Sequence, residues 1–123
     1  MGPLSVGRNA VDAVRDESGR VLVDRADNGR YRWRAKAGNG RIVAISAPAY
    51  SGVDEAHRAS SRLRRDAPNL SARISHVKDG AGWTWVLQSP SGTPLARSIR
   101  SYERYATCQI AVAKFLAILA ADA

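Results

Sequence analysis

The chain matches itself. Displaced by 52 residues, the sequence brings Asp27 onto Asp79, Trp33 onto Trp85, Gly40 onto Gly92 and Ala44 onto Ala96. The same displacement, without gaps, brings Ser46 onto Ser98, Tyr50 onto Tyr102 and Ala59 onto Ala111. Similar pairs lie between them: Leu22 with Ile74, Tyr31 with Trp83, Val43 with Leu95, and Leu63 with Phe115. A repeat of this length means that each unit is one supersecondary block completing its core against its twin.

Both units read alike. A first strand (about 21–26 and 72–78) ends in turn residues, and a second, strongly alternating strand follows at about 30–37 and 83–89. Asn39-Gly40 and Ser91-Gly92 then turn the chain, and Asn-Gly suits a two-residue hairpin loop. A third strand (41–46, 94–98) leads into a helix at about 53–67 and 102–121. Pro94 must start a strand or lie on an edge, and Pro68 closes the first helix. With the Asn-Gly turn setting the register, Ala37 faces Ile42, Ala35 faces Ala44 and Trp33 faces Ser46. The second unit sets Leu87 opposite Ala96 and Trp85 opposite Ser98. One face is thus an aromatic among small residues, which lets a helix lie close over it. Trp33 and Trp85 are expected to be buried about a pseudo-twofold axis, one under each helix.

The stretch YRWRAKAGNGRIVAISAPAYSGVDEAHRASSRLRRDAPN resembles the YegP-like family of small tandem-repeat proteins. The resemblance rests on Tyr31, Trp33, Ala35, Lys36, Ala37, Asn39, Gly40, Ser46, Tyr50 and Ser51. The second unit keeps Trp83, Trp85, Leu87, Gly92, Ser98 and Tyr102, but has Gln88, Ser89, Ser91 and Glu103 where the pattern wants Lys, Ala, Asn and Ser. The likeness spans about residues 21–119. It implies an α+β fold in which two tandem β-β-β-α units (21–71 and 72–123) share one antiparallel sheet, with two helices packed on one face. It implies no activity, since the family is functionally uncharacterised. Residues 1–20 are read as an N-terminal extension that either stays loose or adds a strand.

Little in the chain suggests chemistry. Cys108, the single cysteine, excludes an intrachain disulfide and fits a reducing compartment. No signal peptide is read at the start, and no apolar run is long enough for a membrane span, so a cytoplasmic protein is expected. His57, His76 and Cys108 lack the spacing of a metal site. Cys108 falls on the inward side of the second helix, as a buried inert thiol would. Asp54 and Glu55 open the first helix, where acids complement its dipole. Neither an enzyme nor a cofactor is expected.

Two surfaces remain for function. The net charge of +8 is concentrated in residues 21–69, which carry nine Arg and one Lys against five acids. Arg30, Arg32, Arg34 and Lys36 form one row with Arg41 beside it, and Arg58, Arg62 and Arg65 share a face of the first helix. Such groups contact phosphates without reading sequence. A solvated face is the alternative, with the Arg34 and Lys36 stems lying over Val43 and Ile45. In either case, changing Arg30, Arg32 and Arg34 should hardly alter stability. The second helix has an inward stripe, Tyr105, Cys108, Val112, Phe115 and Leu119, to match Val53, Ala56, Ser60, Leu63 and Ala67 of the first. Its back is also apolar: Ile110, Ala113, Ala117, Ile118 and Ala121, relieved only by Lys114. A helix apolar all round is normally buried all round. A second copy of the chain is the first choice of cover, giving a homodimer. The folded-back segment with Leu4, Val6, Val11 and Val14 is the second. The sequence therefore reads as a self-associating, non-catalytic binding module or, alternatively, a basic protein binding nucleic acid weakly and without sequence preference.

Overall fold

A computed structural model describes residues 19–121 apart from 27 and 79. The chain runs β1 (Arg20–Arg25), β2 (Tyr31–Lys36), β3 (Ile42–Ser46) and α1 (Val53–Asp66). A single 3-10 turn at Ala67–Asn69, carrying Pro68, then leads to β4 (Ser71–His76), β5 (Trp83–Gln88), β6 (Pro94–Arg97) and α2 (Tyr105–Ala121). The six strands form one antiparallel sheet in the order β1-β2-β3-β6-β5-β4. β3 and β6 meet at its centre through Ile45↔Arg97 and Ser46↔Ala96.

Strand alternation decides which side is the core. Trp33 and Ala35 of β2, Ala44 of β3, Trp85 and Leu87 of β5 and Ala96 of β6 are buried in one cluster. Ala59 and Leu63 of α1 and Cys108, Val112 and Phe115 of α2 join the same cluster, so both helices cover the same face. The alanines opposite the tryptophan strands leave room for this close approach: Ala35↔Ala44 and Leu87↔Ala96 pair as the alternation predicts. Trp33 and Trp85 are fully buried, Trp33 on the strand that α1 covers and Trp85 on the strand that α2 covers. Both stack on Phe115 of α2, at centroid distances of 5.9 and 5.3 Å. Phe115 is larger than Leu63 at the matching place in α1, and it reaches the midline of the sheet. Trp85 Nε1–H is buried with no hydrogen-bond partner among the described residues.

Three details of register differ from the sequence reading. First, the hairpin loops have three residues. Ala37 N–H donates to Arg41 O and Gly40 N–H to Ala37 O, with Gly40 at φ +87°. Ser89, Thr93 and Gly92 repeat the pattern with Gly92 at φ +91°. This is a type I turn closed by a left-handed glycine. A bulge follows, so Lys36 rather than Ala37 pairs with Ile42. Second, that bulge re-aims Val43: it packs against the core instead of lying on the basic face, and Leu95 does the same in the second half. Third, the 52-residue offset slips to 51 in the first strands. Five residues separate the pair Arg25↔Tyr31 and six the pair His76↔Trp83. Val23, not Leu22, is therefore the counterpart of Ile74, each lying opposite a tryptophan. A one-residue slip reverses the face, and Leu22 points outward.

The second helix begins at Tyr105 rather than 102 because the backbone of Tyr102 is engaged elsewhere. Its N–H and C=O pair with Trp83 at 2.8 and 2.7 Å, as those of Tyr50 pair with Tyr31. Of the inward stripes, Val53 and Tyr105 are exposed, while Ala59 and Ala111 are buried in their stead. Among the described residues, no helix is long and apolar enough to cross a membrane.

Candidate functional site

The basic row beginning at Arg30 lies on the sheet face that α1 and α2 leave open, but three of its four cations are already engaged. Arg32 Nη1 donates to the carbonyls of Ser46 and Ala47, and Arg30 Nη2 to that of Ala49 at 3.1 Å. Together with Ser46 Oγ–H, which donates to Pro48 O, these bonds pin the connection from β3 to α1. Arg34 pairs with Asp24 at 3.4 Å. Arg30 and Arg32 thus latch main-chain carbonyls, which argues against the expectation that they can be changed without loss of stability. Lys36 carries no such bond among the described residues. Arg58 and Arg65 lie exposed on α1, whereas Arg62, on the same helix, borders a cleft beside Tyr50 and does not share their surroundings.

Arg41 stands apart from both groups. It lines a cleft of about 320 Å³ between the β2–β3 hairpin and α2. The floor and walls are Ala37, Ile42, Val43, Tyr102, Ile110 and Ala111. Arg41, Arg100 and Lys114 provide the charge, with Asn39 and Thr107 as neutral polar partners. Among the described residues no carboxylate lines it. The Arg100 guanidinium lies 5.1 Å above the Tyr102 ring, a cation–π contact that holds it over the floor. The side chains of Arg41 and Lys114 have neither hydrogen bond nor ion pair among the described residues, so both charges are available. The bulge matters here: without it, Val43 would face outward and the cleft would be without part of its floor.

A second, smaller cleft of about 190 Å³ lies in the other half. Tyr50, Ala59, Arg62, Ser89 and Leu95 line it, the counterparts of Tyr102, Ala111, Lys114, Ala37 and Val43 in the first. Each cleft is made of one half's helix and tyrosine and the other half's hairpin. Here, however, Arg62 shares the space with Asp66, and among the described residues no further cation lines it. Burial pushes the Tyr50 hydroxyl above its usual range, against the pull of Arg62.

The back of α2 is less bare than its sequence implies. Ile118 is buried within the chain at 5% exposure, and Ala117 is half-buried, so neither is available to a partner. Ala113 and Ala121 are exposed; Ile110, 56% exposed, forms a wall of the larger cleft. Cys108 is fully buried and its thiol is pushed up by desolvation, away from reactivity. His57 is exposed on α1; His76 packs edge-on against Trp83 at 4.7 Å. Glu55 accepts bonds from Ser51 N–H and Oγ–H at 3.0 and 2.7 Å, tying down the start of α1. Arg100 and Lys114 are the site residues that sequence reasoning missed. The one available signal was that Lys114 interrupts an otherwise apolar surface.

No family model matches the chain, and no curated protein matches it. Among solved structures, the solution structure of yegP from E. coli, a protein of unknown function, superposes with a TM-score of 0.69. The match covers 85% of this chain and 88% of that one. The chain has the YegP-like fold. A UPF0339 protein from Shewanella oneidensis matches with a TM-score of 0.67 over 80% of this chain and 82% of its own. Identities of 17% and 18% make this a likeness of architecture. The YegP-like resemblance of the β2–β3 motif is thus borne out as a fold, and it brings no activity with it.

Proposed function

We propose that the chain is a tandem pair of β-β-β-α units serving as a non-catalytic binding module, and that its ligand is a small organic anion with an apolar body. The observation that carries this reading is the charge of the larger cleft: three cations above an apolar floor, two of them unpaired and none faced by a carboxylate among the described residues. An anion there replaces water around Arg41 and Lys114, while its apolar part covers Ile42, Val43 and Ile110. The volume lies at the small end of ligand pockets, roughly 300–1,000 Å³. The tandem reading is supported by the matching residues of the two clefts, each shared between halves. Self-association through α2 draws less support, because Ile118 is covered within the chain and Ile110 is a cleft wall.

The test is a titration of the protein with benzoate and phenyl phosphate, followed by amide chemical shifts. Saturable shifts are expected at Asn39, Thr107, Ile110 and Ala111, and Arg41→Gln with Lys114→Gln should abolish them. No saturable shift with either probe at millimolar concentration would overturn the reading.

A further inference from the structure

The open face of the sheet carries a pattern that appears only once the six strands are placed side by side. Cross-strand pairing aligns Leu22↔Arg34, Arg34↔Ile45, Ile45↔Arg97, Arg97↔Val86 and Val86↔Arg73. One row across the whole sheet therefore alternates aliphatic and arginine side chains, with an arginine on every second strand. Strands are about 4.8 Å apart, so these three arginines stand at intervals of roughly 10 Å. By strand alternation Arg20, Arg32 and Lys36 share the face, and among the described strand residues Asp24 is its one acid. The carbonyls that hold Arg32 accept its hydrogen bonds but do not neutralise its charge. Ile45, between Arg34 and Arg97, is only 9% exposed on a face that neither α1 nor α2 covers, as expected if the arginine stems lie over it.

From this row we infer that the open face of the sheet binds the phosphate backbone of double-stranded nucleic acid, without reading sequence. Charge complementarity selects the partner: among the described strand residues six cations face outward against one acid, and a duplex presents a phosphate charge about every 1.7 Å of its axis. The absence of aromatic side chains from this face selects the mode. Tyr31, Trp33, Trp83 and Trp85 alternate to the helix side, so no ring is offered for a base to stack on, as single-strand binding would require. Arg73 and Arg97 come from the half of the sequence with fewer basic residues, and they extend the β2 row to the far edge of the sheet. This surface is separate from the small-anion cleft and does not depend on it.

The experiment is fluorescence anisotropy of a labelled 20-base-pair duplex against salt concentration. The unmodified protein should bind at low salt, with log K falling against log salt at a slope of about −3 to −5. Arg73→Gln with Arg97→Gln should weaken binding at least tenfold and reduce the slope by about two, one for each phosphate left without its cation. Arg58→Gln with Arg65→Gln removes the same charge from the back of α1 and should change affinity less than threefold. Circular dichroism of both variants confirms that each is folded. Absence of binding at low salt, equal losses from the two double variants, or tighter binding to the matching single strand would each overturn the inference.

Discussion

Gly82 shows how one residue can be committed twice. Its backbone is at φ +121°, and a Cβ there would stand 2.9 Å from the Tyr102 carbonyl oxygen. Gly92, at φ +91°, has open space where its Cβ would be. Gly82→Ala should therefore cost about 2–3 kcal/mol in urea unfolding and Gly92→Ala about 1. Glu55 is a milder case. Its hydrogen bonds from Ser51 hold the carboxyl below its ordinary range. A carboxylate with a lowered folded value adds stability above the unfolded value and loses it as pH falls through the folded one. Helicity at the start of α1 should accordingly weaken as pH drops below the usual carboxylate range, and Glu55→Gln should remove that dependence. Amide exchange at Glu55 and Ala56 would report it. The identities of these residues were legible in the sequence; their partners, across a turn or brought close only by strand pairing, were not.

At the scale of elements, alternation in β2 and β5 was enough to sort core from surface, because a period of two leaves only one choice of face. The hairpin loops are one residue longer than the Asn-Gly pair suggests. Asn-Gly suits two loop geometries, and the choice falls to the three-residue one, whose bulge turns Val43 and Leu95 inward where the core can bury them. A similar difference of one residue between the two first turns displaces Leu22 to the open face. Nor could sequence show that Arg32 ties β2 to the segment leading into α1, since its acceptors are main-chain carbonyls with no signature of their own. Arg32→Ala should cost about 1.5–3 kcal/mol, the range for hydrogen bonds to a charged group. Arg34→Ala, which removes a pair left 41% and 49% exposed, should cost no more than about 1. Thermal unfolding of the two variants side by side checks the contrast.

For the whole molecule, the repeat made the architecture readable and concealed the site. The larger cleft joins residues 37–43 to residues 100–114, and no local spacing connects them. They meet only because β3 and β6 pair. Phe115 extends the same union into the core, where it touches the central tryptophan of each half. Phe115→Ala should cost about 3–5 kcal/mol. The loss should appear as one transition whether followed by tryptophan emission or by helix signal; two separated transitions would mean that the halves melt independently.

The narrow β3–β6 contact also bears on the order of assembly. The pairings β1–β2–β3 and β4–β5–β6 are made between neighbours in the chain, whereas Ser46 meets Ala96 across fifty residues. Closing that long loop has an entropic cost before any compensating contact forms, so the two meanders should fold early and dock late. A side chain in the first meander is then already packed at the rate-limiting barrier, while one at the docking line is not. Val23→Ala should slow refolding in stopped-flow measurements. Ile45→Ala should leave the refolding rate nearly unchanged and show its whole effect as faster unfolding.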